Sequence, residues 1–140
     1  MQKMTYVPIM KTRKAERDAF GETSVAVRDA ITPLFELHDV PYDITTIPAK
    51  SRNRKDTAWK VINQIATIAG SGYKIFIDMP YLQGDETMSD GSLAIPAIIQ
   101  DARIAGATVV PVLGIDRPDA YRTAITKSIQ RSSGLCLRIP

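Results

Sequence analysis

Five short apolar runs recur along this chain of 140 residues, and segments typical of helices separate them. The runs cover residues 5–11, 31–37, 74–79, 109–114 and 135–140. Their alternation with helices predicts an α/β fold with a parallel sheet. Five β/α steps resemble part of a TIM-type barrel, which needs eight, whereas an open doubly wound sheet is complete with five strands. The alternation alone does not separate these two architectures.

The connecting segments carry helix signals of different strength. Helical periodicity and stop signals predict helices over 12–20, 24–30, 53–69, a segment that begins after Ser92, and a segment that follows Asp116. In the third of these, Trp59 shares an apolar stripe with Ile62 and Ile65. In the last, Asp116 is placed as an N-cap, Pro118 falls in the first turn, and Tyr121, Ala124, Ile125 and Ile129 form a buried stripe.

Three prolines conflict with the strand prediction, because each lies inside an apolar run. They are Pro8, Pro33 and Pro111. Proline cannot donate a hydrogen bond to a neighbouring strand, so a central strand should resist it. The conflict is resolved if each proline lies near the start of its strand, or where the neighbouring strand offers no acceptor.

Length and composition predict a single domain over 1–140 with an ordinary hydrophobic core. The net charge of +3 favours acidic partners only slightly. Cys136 is the one cysteine, which excludes an intrachain disulfide and predicts a buried thiol. No signal peptide or stretch of about 20 apolar residues is evident. We therefore expect no membrane association and a cytoplasmic location in a bacterial host cell.

Four of the apolar runs end on or near a side chain that can do chemistry. These side chains are Lys11, Glu36, Asp78 and Arg138. Alternation puts Lys11 on one face with Ile9, and Glu36 on one face with Leu34. If those faces agree, the four groups form a candidate catalytic rim at the carboxyl ends of the strands. The alternative is that charged residues only end each apolar run at solvent and balance one another.

A basic stretch before the third helix is a weaker candidate for binding anions. It contains Lys50, Arg52, Arg54 and Lys55 and lies next to Trp59. Cations beside an aromatic ring can hold phosphates and a stacked base, so nucleic acid is a possible partner. The alternative is a solvated loop and helix start, with Trp59 packed in the core.

Metal and cofactor sites are not predicted. His38 is the only histidine, and no second histidine or cysteine stands at ligand spacing from it. The Gly70-Ser-Gly72 segment ends a helix and does not match a dinucleotide-binding loop. We therefore expect neither a metal nor a cofactor.

The runs from Tyr6 to Lys11 and from Ile31 to Glu36, together with Ile77-Asp78 and Leu137-Arg138-Ile139, resemble the phage-type Beta protein family. The resemblance covers essentially the whole chain and implies the amino-terminal part of a longer, barrel-like α/β protein. Lys11, Glu36, Asp78 and Arg138 match the polar pattern of the family. Some members are similar to a phage gene product that relieves the toxicity of a neighbouring protein, which implies a toxin-neutralising or phage-defence role.

Two functions follow as hypotheses. In the first, the chain acts by protein interaction or self-association, because an unclosed series of strands exposes apolar area and unpaired edges. Two copies related by a two-fold axis could then bring their open edges together. In the second, it is an enzyme for an anionic substrate, with Glu36 or Asp78 as the base and Lys11 or Arg138 holding the charge.

Overall fold

Five parallel strands form one sheet in which strand order follows chain order. The computed structural model describes residues 5–37, 54–88, 90–130 and 133–140, and only the backbone of residues 54–58. The strands are β1 (Ile9–Lys11), β2 (Leu34–Glu36), β3 (Lys74–Asp78), β4 (Thr108–Gly114) and β5 (Cys136–Arg138). This sheet, interleaved with helices, confirms the α/β prediction.

In the described part of the chain, five helices connect the strands: α1 (Lys14–Gly21), α2 (Val25–Ala30), α3 (Arg54–Ala69), α4 (Ala94–Ile104) and α5 (Asp119–Thr126). Along the sheet α1 packs on α3, α3 on α4, and α4 on α5, so these four helices form one continuous layer. A doubly wound sheet reverses its strand order at a switch point. The order observed here has no reversal, which favours the barrel-type arrangement among the described residues.

The hydrophobic core lies between this helical layer and the sheet. Alternate strand residues point toward the helices, and Phe35, Ile75, Ile77 and Val109 are buried there. The helices contribute a larger set of buried side chains, which includes Phe20, Ile62, Ile65, Ala66, Ile95, Ile98, Ile99, Ala102, Ala124 and Ile125. The periodic stripes predicted for α3 and α5 are therefore confirmed at most of their positions.

Three details of the predicted stripes and caps were wrong. Trp59 is 40% exposed, and its indole Nε1 donates to Asp101 Oδ2 at 2.8 Å, so the ring lies at the surface between α3 and α4. Helix α5 begins only at Asp119, with Pro118 as its N-cap residue. Helical geometry is disfavoured for Arg117, the residue before the proline, so a helix start at Asp116 is disfavoured. Ile129 lies beyond the last residue of α5 and is 40% exposed.

The prolines are accommodated in the two ways expected. Pro8 and Pro33 each directly precede a strand, β1 and β2. Pro111 lies inside β4, where Thr108 N–H donates to Tyr73 O on the β3 side. Alternation turns position 111 toward β5, and β5 pairs with β4 only from Val112 onward. The missing N–H of Pro111 therefore falls where the neighbouring strand has not yet begun.

The two outer strands leave apolar side chains in solvent. Ile9 on β1 is 59% exposed, while Leu137 on β5 and Ile139 just beyond it are 61% and 75% exposed. Among the described residues, β1 pairs only with β2 and β5 only with β4. The sheet is therefore open at both edges in this part of the chain. No described helix combines the length and apolar character that crossing a membrane requires.

Candidate active site

Parallel pairing brings the predicted polar side chains to one end of the sheet. Lys11 is the register partner of Glu36, and Glu36 is the register partner of Asp78. Arg138 is paired with Gly114 on the other side of β4. Because the alternation in each strand is set by its apolar residues, the charged residues fall on the face opposite the helices. All four predicted rim residues are thus brought together.

Glu36 joins the first strand to the last. Its Oε1 accepts from Lys11 Nζ, and its Oε2 accepts from Arg138 Nη1 at 2.5 Å. The Glu36 side chain is 11% exposed, whereas those of Lys11 and Arg138 are 45% and 36% exposed. The backbone N–H of Lys11 also donates to Glu16 Oε2, which holds the end of β1 against the start of α1. Glu36 is therefore clamped between two cations from opposite sides.

Asp78 is more deeply buried than Glu36, and its side chain is fully buried. Arg117 Nη2 lies 3.0 Å from Oδ2 and 3.2 Å from Oδ1, and Arg138 Nη1 lies 2.8 Å from Oδ2. The Tyr121 hydroxyl, 3.4 Å from Oδ1, accepts from the Met79 N–H at 3.2 Å. A buried carboxylate costs several kcal/mol unless it is paired, and these contacts provide the pairing.

Arg117 reaches Asp78 because β4 ends on a glycine. A Cβ atom on Gly114 would lie 2.7 Å from Asp116 Oδ1 and 3.1 Å from Arg117 Nε. A side chain at this position would therefore compete with the arginine for the same space. The bare end of β4 lets the following loop supply a cation in place of a strand residue.

Arg117 and Tyr121 are the residues of the candidate site that the sequence analysis missed. Tyr121 was predicted only as part of a buried stripe. Arg117 lies three residues beyond the end of its strand, so strand alternation carries no information about it. One signal was present: β4 is the strand that ends without a polar side chain, and the segment that follows it contains an arginine.

We refer to five residues as the charge cluster: Lys11, Glu36, Asp78, Arg117 and Arg138. Contacts within it shift the pKa values of Glu36 and Arg138. Burial alone would raise the pKa of Glu36, but the hydrogen bonds and charges of Lys11 and Arg138 outweigh it and lower that pKa. The hydrogen bonds to Glu36 and Asp78 raise the pKa of Arg138. Glu36 and Arg138 are therefore held in their charged forms at neutral pH.

Two groups near the charge cluster have raised pKa values, which favour their neutral forms. Burial, and then the charge of Asp78, raises the pKa of the Tyr121 hydroxyl well above its usual range. The same two causes raise the pKa of the Cys136 thiol. Cys136 is half-buried rather than fully buried, which corrects the predicted burial, and it faces the cluster as a thiol and not a thiolate at neutral pH.

A cleft of about 350 Å³ opens beside the charge cluster. Its lining comprises Glu36, Pro80, Tyr81, Asp116, Arg117, Arg138 and Pro140. The position fits the general habit of parallel α/β folds, which place ligands at the carboxyl ends of their strands. A molecule of modest size could therefore reach the charge cluster through this cleft.

The side chains of the predicted anion-binding stretch lie outside the described part of the structure. Lys50 and Arg52 lie outside the described residues, and so does His38. Arg54 and Lys55 lie in the first turn of α3, where only the backbone is described. Across the described residues, no group of three or more histidine, cysteine, aspartate or glutamate residues is arranged to hold a metal ion.

Comparison with known proteins identifies a family. No curated protein and no solved structure matches this chain. The sequence model of one family, described as Beta protein, matches residues 6–140. That span contains the whole charge cluster and all five strands. The chain therefore belongs to the Beta protein family.

Proposed function

We propose that this phage-type protein acts by binding another polypeptide along the open edges of its sheet. The observation that carries the proposal is the exposure of Ile9, Leu137 and Ile139, which are large apolar side chains at the outer strands. Unpaired strand edges offer backbone donors and acceptors that a partner strand can satisfy. Relief of the effect of a toxic protein, the role that the family resemblance implies, is one form of such binding.

The β5 edge is the better placed of the two. Leu137 is paired with Leu113, which packs against the core, and yet Leu137 remains 61% exposed. The side of β5 that faces the helical layer therefore carries an apolar side chain with no described helix over it. Ile139 extends the same exposed strip. An extended segment with apolar side chains would cover both residues and pair with the strand.

The enzymatic hypothesis is less well supported by the geometry. A general base works best when its pKa lies near the working pH. The pKa of Glu36 is lowered instead, so it is a weak base, and both of its oxygens are already engaged by cations. The Asp78 side chain is fully buried, and both of its oxygens accept hydrogen bonds. These features are typical of carboxylates that hold arginines in place.

The test uses the tagged 140-residue chain expressed in phage-infected bacterial cells, with partners identified by mass spectrometry and self-association measured by sedimentation velocity. The double variant L137K/I139K should lose the bound polypeptide. The matched control V25K/I104K introduces the same charges at exposed apolar positions on α2 and α4 and should retain it.

Either a second copy or a different protein satisfies the proposal if the edge variant releases it and the control keeps it. A wild-type chain that stays monomeric and partner-free would contradict the proposal. A partner that both variants retain equally would contradict it as well, because the binding surface would then lie away from β5.

A further inference from the structure

Every carboxylate oxygen of the charge cluster already accepts a hydrogen bond, but some of its arginine N–H groups donate none. Oε1 and Oε2 of Glu36 are each contacted by a cation, and so are Oδ1 and Oδ2 of Asp78. The carboxylates therefore have little capacity left for a further donor. Any molecule that enters the neighbouring cleft meets carboxylates that are already neutralised.

The two arginines keep unused donors. Arg138 makes both of its ion pairs through Nη1, and Arg117 contacts Asp78 through Nη2. Within the described part of the chain, Nη2 and Nε of Arg138 and Nη1 and Nε of Arg117 have no hydrogen-bond partner, and Nε of Arg117 is buried. A guanidinium group carries five N–H donors in a planar fork that matches carboxylate and phosphate oxygens. Both arginines line the cleft, so their free donors are near the place a ligand would occupy.

The charge cluster carries one net positive charge, which Asp116 on the cleft wall offsets. Lys11, Arg117 and Arg138 outnumber Glu36 and Asp78 by one positive charge. Asp116 is a further charge on the cleft wall and opposes an anion there. A bound anion would therefore depend on the arginine donors and would be weakened by Asp116.

We propose that this cleft binds a small anion through a carboxylate or phosphate group held by Arg138 and Arg117. Tyr81, which is 41% exposed, and the prolines at positions 80 and 140 supply apolar walls for the remainder of the ligand. A space of about 350 Å³ suits a small metabolite-sized molecule. Arg138 lies on the opposite face of β5 from Leu137, and anion binding is measured on the chain alone, so its test does not depend on the proposed protein interaction.

The experiment is calorimetric titration of the wild-type chain of 140 residues at pH 7 and constant ionic strength. One arm uses inorganic phosphate and the other uses malonate, which distinguishes the phosphate source from the carboxylate source. Saturable one-site binding of at least one anion is expected. If neither anion saturates, the proposal is overturned, and this outcome needs no variant.

Variants then place the anion. R138Q should weaken binding at least tenfold, and R138K should weaken it less, because the lysine keeps the charge and loses the fork. The control R122Q removes the same charge from α5, where Arg122 makes an exposed ion pair with Asp119, and should change affinity less than twofold. D116N should tighten binding several-fold.

Three results would refute this placement. An equal loss in R122Q and R138Q would show general charge attraction in place of a site. Unchanged or weaker binding by D116N would put the anion outside the cleft. Full affinity in both Arg138 variants, with circular dichroism showing that they are folded, would remove Arg138 from the site.

Discussion

The helix-covered side of the sheet and its opposite side exclude water by different means. On the covered side, buried residues such as Ile98, Ile65 and Ile77 pack into one continuous apolar core. On the opposite side, Leu34 and Val110 are buried in the middle, but Ile9 at the edge is 59% exposed. At the carboxyl end of that side, the charge cluster replaces apolar packing.

The difference shows how the two sides depend on their sequence. Apolar packing on the covered side is shared among many residues and tolerates the loss of any one contact in proportion to its area. The charge cluster depends on two carboxylates that pair with three cations. Removal of one carboxylate leaves partly buried cations without a partner, which costs more than the contact itself. We therefore expect the largest single effects on the side with the less extensive core.

The strongest challenge to this comparison is D78N. The substitution keeps the shape of the side chain but leaves Arg117, whose side chain is 15% exposed, without its carboxylate. Removal of one partner of a buried pair costs about 3–5 kcal/mol, and we expect a loss of unfolding free energy in that range in urea denaturation. D119N removes a carboxylate that is 98% exposed and should leave the unfolding midpoint unchanged. Equal effects of the two substitutions would show that the charge cluster is not coupled to the fold.

Paired isoleucine truncations compare the covered core with the open edge. Ile98 is a fully buried residue of α4, so I98A should cost about 3 kcal/mol through lost transfer energy and a cavity. Ile9 is more than half exposed, so I9A should cost less than about 1 kcal/mol. Urea denaturation of both variants measures the difference. A similar cost at the two positions would mean that the edge of β1 is covered in solution.

A smaller effect tests the passage of Arg117 over the end of β4. The added methyl group of G114A would press on the flexible ends of Asp116 and Arg117, and we expect a loss of about 1 kcal/mol. G21A is the matched control, because its Cβ would meet Ile68 at an ordinary 3.4 Å in a helix. That variant should be neutral or slightly more stable. A G114A protein as stable as wild type would show that position 114 does not direct Arg117.

The pH dependence of stability gives the smallest signal. The pKa of Glu36 is lower in the folded protein than its ordinary value of 4.5. Its contribution is therefore fully present above about pH 4.5 and is lost as pH falls through the lower folded pKa. E36Q should remove this part of the decline between pH 5 and pH 3, measured by urea denaturation at each pH. An unchanged pH profile in E36Q would mean that Lys11 and Arg138 do not stabilise its charged form.

The alternation of apolar residues was enough to predict four of the five members of the charge cluster. In short parallel strands, one buried side chain fixes the face of its neighbour two residues away. Glu36 and Asp78 could therefore be assigned to one face from sequence. Their pairing with Arg138, which is 102 residues from Glu36, required the strand order, which alternation does not contain.

The remaining features depend on structure outside the strands. Arg117 lies in the loop after β4. The position of its side chain depends on Gly114, which leaves space for it, and on Pro118, which follows it in the sequence. Helix α5 begins at Asp119, later than predicted, because Pro118 restricts the backbone of the residue before it. Trp59 has the periodicity of a core residue, but a polar partner on α4 holds its ring at the surface. Local patterns do not specify such contacts between helices.

The central claim is that the charge cluster stabilises the side of the sheet opposite the helices, because its ion pairs join β1, β2 and β3 to β5. A double-mutant cycle between Glu36 and Arg138 tests it most directly, with E36Q, R138Q and the double variant unfolded in urea at pH 7. Residues that share an ion pair typically show coupling of about 0.5–3 kcal/mol, and we predict at least about 1 kcal/mol here. Additivity of the two substitutions within about 0.3 kcal/mol would contradict the account.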